Sequence, residues 1–186
     1  MRVIKKNKFV WLMLIIFVFT GCASIEKAES LHRQGEKEGA LEMAISLLED
    51  DSSKVRLRAV KLTGKIGGPK AGIALHQRLG EPDDRVRREV VRNLGSIQYE
   101  PAMEDLADLV KNSDADMRRA LADAFKAYGK SGLDLIVSRY DSKGSDRAAY
   151  KDLLIAVGPE IADSISKLLK GRSFFDNRDT FDILRR

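Results

Sequence analysis

The chain has 186 residues, of which 44% are hydrophobic and 33% are charged, a balance typical of a folded protein and not of a disordered one. Its net charge of +5 arises mostly at one end, because four basic residues and no acidic residue lie among the first twenty-one and the remainder carries only +1. A nearly neutral body argues against nucleic-acid binding, and the single cysteine excludes a disulfide within the chain.

Residues 1–21 have the parts of an export signal. A short basic segment, Arg2–Lys8, precedes an apolar run of eleven residues, Phe9–Phe19, and Thr20-Gly21-Cys22 follows. Eleven residues are fewer than the roughly 20 that a membrane-spanning helix needs. The segment Phe19-Thr20-Gly21-Cys22 resembles the lipobox of bacterial lipoproteins, in which small residues precede an acylated cysteine. An ordinary cleaved signal or a short anchor, with Cys22 incidental, is the alternative interpretation.

The lipobox resemblance implies a mature protein that begins at Cys22 and carries acyl chains such as palmitate. Two or more acyl chains anchor a protein stably in a bilayer, whereas one binds marginally. Ala23 stands where lipoproteins retained in the inner membrane commonly have Asp. The resemblance therefore implies an outer-membrane anchor on the periplasmic side, or a cell-membrane anchor if the source has a single membrane.

The segment after Cys22 leads into a series of repeats. We interpret residues 22–39 as a tether and an N-terminal capping helix, with a helix over Ile25–Gln34 and a break over Gly35–Gly39. Ala40–Leu48 then places Leu41, Ala44, Ile45 and Leu48 on one helical face. This second helix is the expected remnant of a degenerate first repeat.

Four segments of similar sequence follow at intervals of 29 to 31 residues. They begin at Val55, Val86, Met117 and Asp146, and read VRLRAVKLTGKIG, VRREVVRNLGSIQ, MRRALADAFKAYG and DRAAYKDLLIAVG. Self-similarity at such a period indicates stacked helical units, each unable to bury its apolar face alone.

Each repeat predicts a first helix, a turn and a second helix. Helix N-cap residues precede the first helix: Ser52-Ser53, Asp83-Asp84, Ser113-Asp114, and Ser142 or Ser145. The predicted core positions of the first helices are Ala59, Thr63 and Ile66; Val90, Leu94 and Ile97; Leu121, Phe125 and Tyr128; Tyr150, Leu154 and Val157. Those of the second helices are Ala71, Leu75 and Leu79; Ala102, Leu106 and Val110; Leu133 and Val137; Ile161, Ile165 and Leu168.

The period, the Val-Arg pair and the Leu-Gly or Ile-Gly ending resemble short HEAT-like repeats of the type found in bilin lyases. The resemblance implies an all-α fold, a right-handed α-solenoid of stacked antiparallel helix pairs over residues 40–171. Residues 172–186 contain Phe174, Phe175, Phe181, Ile183 and Leu184, which we interpret as a C-terminal capping helix. A docking peptide for a partner is the alternative.

Basic residues recur within the repeats. An arginine occupies the second position of each segment, Arg56, Arg87, Arg118 and Arg147. The resemblance implies a structural role for these arginines, which would hydrogen-bond to helix-start acids and carbonyls of the neighbouring repeat, and Asp83, Asp84, Asp114 and Asp116 are suitably placed. A ladder of anion-binding sites is the functional alternative. Residues 51–99 also hold eleven basic and five acidic residues. A solvated helix face explains this excess, and contact with anionic lipid or an acidic partner remains open.

Catalytic and metal-binding patterns are missing from the sequence. His32 and His76 are the only histidines, and neither zinc-ligand spacing nor a glycine-rich phosphate loop is present. We therefore predict no enzyme activity, no cofactor and no metal. The expected function is a monomeric, membrane-tethered scaffold that binds a protein partner, and an enzyme or accessory of the bilin-lyase type is the alternative.

The second helices supply the expected partner-binding surface, because in HEAT-like stacks they line the concave face. The outward positions form a row that mixes apolar residues with charges of both signs. Its members are Ile73, Gln77, Glu104, Asp108, Leu135, Arg139, Asp163 and Lys167. Ile73 and Leu135 are the expected exposed apolar members, and packing against neighbouring helices is the alternative for both.

Overall fold

The fold of the described residues is all-α, as predicted. The structure is a computed structural model, and it describes residues 24–141, 146–169 and 183, which form helices and turns and no strand. The predicted signal peptide, the lipidation residue Cys22, the cap candidates Ser142 and Ser145, and the side chain of Leu168 lie outside the described part. Of the predicted C-terminal cap, Ile183 is described, and it is buried.

The chain divides into two compact units, Met1–Val90 and Val91–Arg186. In the first unit, α1 covers residues 24–33, followed by α2 (Lys37–Ser46), α3 (Ser53–Ile66) and α4 (Pro69–His76). Helix α3 packs against α2 and α4. Helix α5 (Asp84–Ser96) begins in the first unit and ends in the second.

The second unit contains the end of α5, α6 (Met103–Leu109), α7 (Ala115–Ala127), α8 (Lys130–Asp141), α9 (Arg147–Val157) and α10 (Ala162–Leu169). Within this unit α7 packs against α9, and α8 packs against both α6 and α10. In this unit the first helices α7 and α9 therefore form one layer and the second helices α6, α8 and α10 another. Contacts of α8 with α7 and α9 join the two layers.

The predicted core columns are largely present. The positions four and eight residues into each repeat are buried in all four repeats. At position eleven, Tyr128 and Val157 are buried, whereas Ile66 and Ile97 keep part of their surface exposed. Leu79 is also only partly buried, because α4 ends at His76 and Leu79 lies in the turn that follows.

The N-terminal helices differ in detail from the expected pattern. The break is shorter than Gly35–Gly39, because α2 already begins at Lys37. After Ser46 the helix tightens into a 3₁₀ turn over Leu47–Glu49, with fewer residues per turn than an α-helix. Leu47 is buried beside Leu48 in this turn, whereas Ile45, still within α2, is partly exposed.

The turn after each first helix uses a left-handed residue at the same repeat position. Gly67, Gly129 and Gly158 have φ values of 71°, 65° and 81°, a region that glycine adopts without steric cost. In the second repeat this position is Gln98, with φ 53°. Its side-chain Nε2 donates to the carbonyl oxygen of Ala127 at 2.6 Å, which ties the strained residue to the next first helix.

Two of the predicted caps are formed by aspartates. Asp114 Oδ1 accepts from the amide of Met117 at 2.7 Å, and Asp83 Oδ1 accepts from the amides of Arg85 and Val86 at 2.9 and 3.3 Å. Ser52 occupies the N-cap position of α3 without a side-chain cap bond. Upstream, Asp50 Oδ1 accepts from the amide of Ser52 at 2.8 Å, which holds the chain before α3 without capping its first turn.

Helices α5 and α7 come into close contact at Gly95. A Cβ atom placed on Gly95 would lie 2.4 Å from Ala124 Cα and 2.7 Å from Ala124 Cβ. These separations are well inside van der Waals contact and involve backbone, which cannot move aside cheaply. The glycine of the Leu94-Gly95 pair is thus required by helix packing.

We expect Gly95→Ala to lower the free energy of unfolding by about 3 kcal/mol, because the added methyl group overpacks a buried helix crossing. Gly39→Ala is the matched control, since Gly39 lies in α2 and a Cβ atom placed there would meet only Leu31 Cδ1 at 3.9 Å. That change should stabilise the protein by about 0.5–1 kcal/mol. Urea unfolding of both variants measures the difference, and similar values for the two would contradict the packing argument.

A buried carboxylate organises the first unit. The Glu81 side chain is fully buried and accepts from Arg56 Nη2 at 2.7 Å, from Arg78 Nη2 at 2.6 Å and from the amide of Asp83 at 3.1 Å. Arg56 also donates through Nη1 to the carbonyl of Asp50 at 2.8 Å. One carboxylate therefore joins the loop before α3, α3 itself and the segment after α4.

The four repeated arginines serve structure through different partners. Arg56 binds Glu81, Arg118 Nη1 donates to the carbonyl of Ser113 at 2.7 Å, and Arg87 pairs with Asp84 at 2.7 Å in its own first turn. Arg147 Nη2 donates to Tyr140 Oη at 3.0 Å and lies over the tyrosine ring. These contacts are structural, but their partners differ from the expected ones. Arg87 and Arg118 bond near the start of their own helix, although Arg118 Nη2 also lies 3.9 Å from Asp152 Oδ2 of the next repeat.

The pKa of Glu81 lies below the ordinary value for glutamate. Burial alone raises this pKa, but the hydrogen bonds from Arg56, Arg78 and the Asp83 amide lower it by more. A lowered pKa in the folded state means that ionised Glu81 stabilises the fold above the ordinary glutamate pKa of about 4.3. That stabilisation is lost as the pH falls through the folded-state pKa.

We expect Glu81→Gln to cost about 2–3 kcal/mol at neutral pH, because Arg56 and Arg78 lose the charge that compensates their burial. Glu49→Gln is the control: Glu49 pairs with the same Arg78 at 2.7 Å, but its side chain is 73% exposed. An exposed pair contributes at most about 1 kcal/mol. Unfolding followed as a function of pH should show the gap between wild type and Glu81→Gln closing in acid, and a gap that stays constant would exclude this role.

Candidate functional site

Most of the predicted partner-binding row lies on the second-helix layer of the second unit. Glu104 and Asp108 are on α6, Leu135 and Arg139 on α8, and Asp163 and Lys167 on α10. Because α8 packs between α6 and α10 within this layer, the six residues share one surface. The remaining two members belong to the first unit, where Ile73 lies on α4 and Gln77 directly after it.

Arg139 is the centre of an ion cluster on this surface. Its Nη2 pairs with Glu104 Oε2, and its Nη1 lies 3.4 Å from Asp108 Oδ1. The hydrogen bond to Glu104 is the main cause of the raised pKa of Arg139. The Glu104 and Asp108 side chains are 64% and 69% exposed, so water screens these pairs and they contribute little to stability.

Helix α10 continues the charged surface. Lys167 Nζ lies 2.9 Å from Asp163 Oδ2, one helical turn away, and this hydrogen bond raises the pKa of the lysine. Between α8 and α10, Ser164 Oγ donates to Asp134 Oδ1 at 2.7 Å. Asp134 also pairs with Lys130, whose hydrogen bond is the main cause of its lowered pKa. Charges of both signs thus alternate across the layer.

The two apolar members of the row differ in exposure. Ile73 is 50% exposed, and it is the one large hydrophobic residue in the described part with a predominantly open side chain. Leu135 is only partly exposed, which corrects the expectation that it stands free in solvent. The reason is the position of α8 between two neighbouring helices, which cover part of its outer side.

A groove of about 370 Å³ lies beside the Arg139 cluster. Asp108 and Arg139 line it from the predicted row, together with Lys111, Asn112, Arg147 and Tyr150. Lys111 Nζ reaches within 3.9 Å of Asp146 Oδ2, which is also on the groove wall. Three cationic side chains and two carboxylates line the groove, and Arg139 also pairs with Glu104 beside it, so the wall is close to neutral and offers both donors and acceptors.

Tyr150 forms the buried wall of the groove. Its hydroxyl donates to the carbonyl of Ala107 at 2.9 Å, and burial is the main cause of its raised pKa. This bond links the first helix α9 to the second helix α6 and holds the groove in shape. The repeat pattern predicts Tyr150 as a core residue, which agrees with its burial. It does not predict the hydrogen bond of the hydroxyl, because repeat position does not show which group lies opposite.

The groove residues Lys111, Asn112 and Arg147 were not part of the predicted row. Lys111 and Asn112 lie in a 3₁₀ turn after α6, and Arg147 is the first residue of α9. What they share in the sequence is a position next to a helix end. Side chains of different helices meet at such ends in the folded protein. The repeat pattern does not report that convergence.

The described residues give no sign of a metal site or a membrane span. No group of three or more His, Cys, Asp or Glu side chains is placed to hold a metal ion in the described part. No described helix is both long enough and apolar enough to cross a bilayer.

Comparisons with known proteins agree with the repeat pattern. The family model for HEAT repeats matches residues 26–88, 41–126 and 74–151. Fourteen chains of solved structures match, and one is the crystal structure of an engineered protein with 20% sequence identity and a TM-score of 0.44, over 89% of this chain and 88% of that chain. No curated protein matches the chain.

Proposed function

Since this chain belongs to the HEAT-repeat family, we propose that it is a non-catalytic scaffold that binds a protein partner and is held at a membrane by a lipid on Cys22. Repeats of this kind present long surfaces of helices that partners use. The observation that carries the proposal is the second-helix layer of the second unit, where charges of both signs surround a groove. Those side chains are exposed and contribute little to the core, which leaves them available for recognition.

The chemistry of this surface favours a protein partner over a small ligand. The groove is open and polar, whereas sites for small molecules are usually enclosed and mainly apolar. Glu104, Asp108, Arg139, Asp163 and Lys167 offer donors and acceptors across three adjacent helices. Complementary charges on a partner would set its orientation and rate of association. Ile73 and Gln77 on the first unit form a separate candidate contact.

The membrane attachment rests on the lipobox-like Phe19-Thr20-Gly21-Cys22 and on the absence of a competing cysteine. With Ala23 after the cysteine, we propose an outer-membrane location facing the periplasm. In an organism with a single membrane, the same anchor places the protein on the outer face of the cell membrane. The scaffold then acts in the cell envelope, close to the lipid surface.

We expect Cys22→Ser to abolish incorporation of labelled palmitate and to leave an unprocessed precursor. The cause is chemical, because the serine hydroxyl cannot form the thioether on which lipoprotein processing depends. Ser24→Ala, which leaves the cysteine intact, is the control and should incorporate label like the wild type. Equal labelling of Cys22→Ser and wild type would show that Cys22 is not the modified residue.

We expect a photo-crosslinking residue at Glu104 or Lys167 to capture one and the same protein in intact cells. The control positions are Arg119 and Asp123, on the first helix α7 of the same unit, with side chains 73% and 60% exposed. Arg139→Glu should reduce the adduct, since it places a third negative charge beside Glu104 and Asp108, and should change the melting temperature little.

Equal capture of that protein from Arg119 and Asp123 would show that binding is not confined to the second-helix layer, and would contradict the proposed surface. Capture that survives Arg139→Glu unchanged would remove the charged cluster from the interface. Mass spectrometry of the crosslinked peptide identifies which of these results holds.

A further inference from the structure

One face of α3 in the first unit carries only positive charge. The helix Ser53–Ile66 contains five basic residues and no acidic residue. Lys54, Arg58, Lys61 and Lys65 recur at intervals of four, three and four residues, which places them along one side of the helix. Arg56 lies on the other side, where it binds the buried Glu81.

This face borders a groove between α1 and α3. The groove has a volume of about 270 Å³ and is lined by Glu29, His32 and Arg33 from α1 and by Arg58, Lys61, Leu62 and Lys65 from α3. Four cationic side chains face one carboxylate in its wall. The local excess of positive charge is therefore concentrated in a concave site and is not spread evenly over the surface.

The single carboxylate of the groove is already occupied. Arg58 donates to Glu29 through Nε at 3.0 Å and through Nη2 at 2.9 Å, and these hydrogen bonds are the main cause of the lowered pKa of Glu29. Lys61 and Lys65 have no carboxylate within ion-pair distance among the described residues. Lys70 of the same unit, by contrast, lies 3.4 and 3.5 Å from Glu38 and Glu42. The groove lysines keep their charge available for an external anion.

The position of the groove along the chain indicates which anion. The described part of α1 begins two residues after Cys22, and two extended residues span only about 7 Å. Nine further residues of helix, up to Arg33, add about 14 Å. If Cys22 carries the lipid anchor, the groove stays within about 20 Å of the membrane. The screening length at physiological salt is about 8 Å, so the groove is attracted to the surface only when the first unit turns this face to the membrane, which a tether of this length allows.

We propose that this groove binds the phosphate headgroups of anionic phospholipids in the membrane that holds the anchor. The proposal rests on the lipid attachment inferred above and extends it to a second, electrostatic attachment. Each Lys or Arg near an anionic surface strengthens binding about fivefold. The lipid contact would orient the first unit on the membrane by the α1 and α3 face, which the anchor alone does not achieve.

The test uses the purified full-length chain reconstituted into vesicles of phosphatidylcholine alone or of phosphatidylcholine with phosphatidylglycerol. A water-soluble reagent acetylates accessible lysines, and mass spectrometry measures the rate at each one. We expect Lys61 and Lys65 to react at least about threefold more slowly in the anionic vesicles, with high salt removing the difference. Lys37, an exposed lysine at the start of α2 in the same unit, should react equally in both.

Charge variants test the same contact independently of lysine chemistry. The double variant Lys61→Glu, Lys65→Glu should bind less well to anionic vesicles than the wild type does. We expect this fold loss to exceed the fold loss on neutral vesicles by more than about tenfold. Lys37→Glu with Lys70→Glu changes the net charge of the same unit equally and should have a much smaller effect. Circular dichroism of both double variants checks that the helices are intact.

Failure of this lipid contact can be distinguished from failure of the proposed lipidation of Cys22. Mass measurement of Cys22 reports lipidation by itself, whereas lysine protection reports headgroup contact whichever segment brings the chain to the membrane. Equal reaction of Lys61 and Lys65 in the two kinds of vesicle, or binding to neither, would overturn the proposal. Protection of these lysines by an added acidic protein but not by phosphatidylglycerol would assign the groove to a protein partner and would equally overturn it.

Discussion

The first unit depends on a carboxylate that has been removed from water. An isolated buried charge is costly, and Glu81 is tolerated because two guanidinium groups and a backbone amide surround it. Its partners come from α3 and from the segment after α4, and Arg56 extends the network to the carbonyl of Asp50. The loops at this end of the helices are therefore held by charge, while the helix faces between them are held by apolar contact. A network of this kind also limits sliding of the segment after α4 along α3, because a shifted register would leave the carboxylate unpaired.

In the second unit the helices are held together by different contacts. No buried carboxylate of this type is found among its described residues; instead Gly95 lets α5 approach the backbone of α7, and Gln98 bonds across to Ala127. The Tyr150 hydroxyl then joins the two helix layers through the carbonyl of Ala107. These contacts occupy the interior and the repeat ends, so the outer side of α6, α8 and α10 is left to exposed charges. The outer layer is therefore available for binding, since substitutions of its exposed charged residues leave the core contacts intact.

The two charged surfaces differ in how their charges are compensated. On the second-helix layer, Arg139 and Lys167 have carboxylate partners, so the surface is close to neutral but rich in directional groups. This arrangement suits selective contact with a protein that has its own mixture of charges. In the groove between α1 and α3, Lys61 and Lys65 lie beside a carboxylate already bound to Arg58, so a net positive field remains. Such a field suits a surface with many negative charges and little need for exact geometry, which is the character of an anionic bilayer.

The helical class, the repeat period and most of the core follow from residue spacing alone, because spacing decides which side chains share one face of a helix. Residue spacing also placed six positions on one helix layer, of which Glu104, Asp108, Asp163 and Lys167 are exposed. Tertiary structure decided the rest. Leu135 is partly covered because α8 has neighbours on both sides. The groove beside Arg139 forms because Lys111, in the turn after α6, meets Arg147 and Tyr150 at the start of α9. In the sequence Glu81 looks like any surface glutamate. Only its hydrogen bonds with Arg56, 25 residues earlier in the chain, show that its buried carboxylate holds the first unit together. Periodicity describes one helix at a time, whereas pairing between charges depends on distances between helices, which no repeat pattern contains.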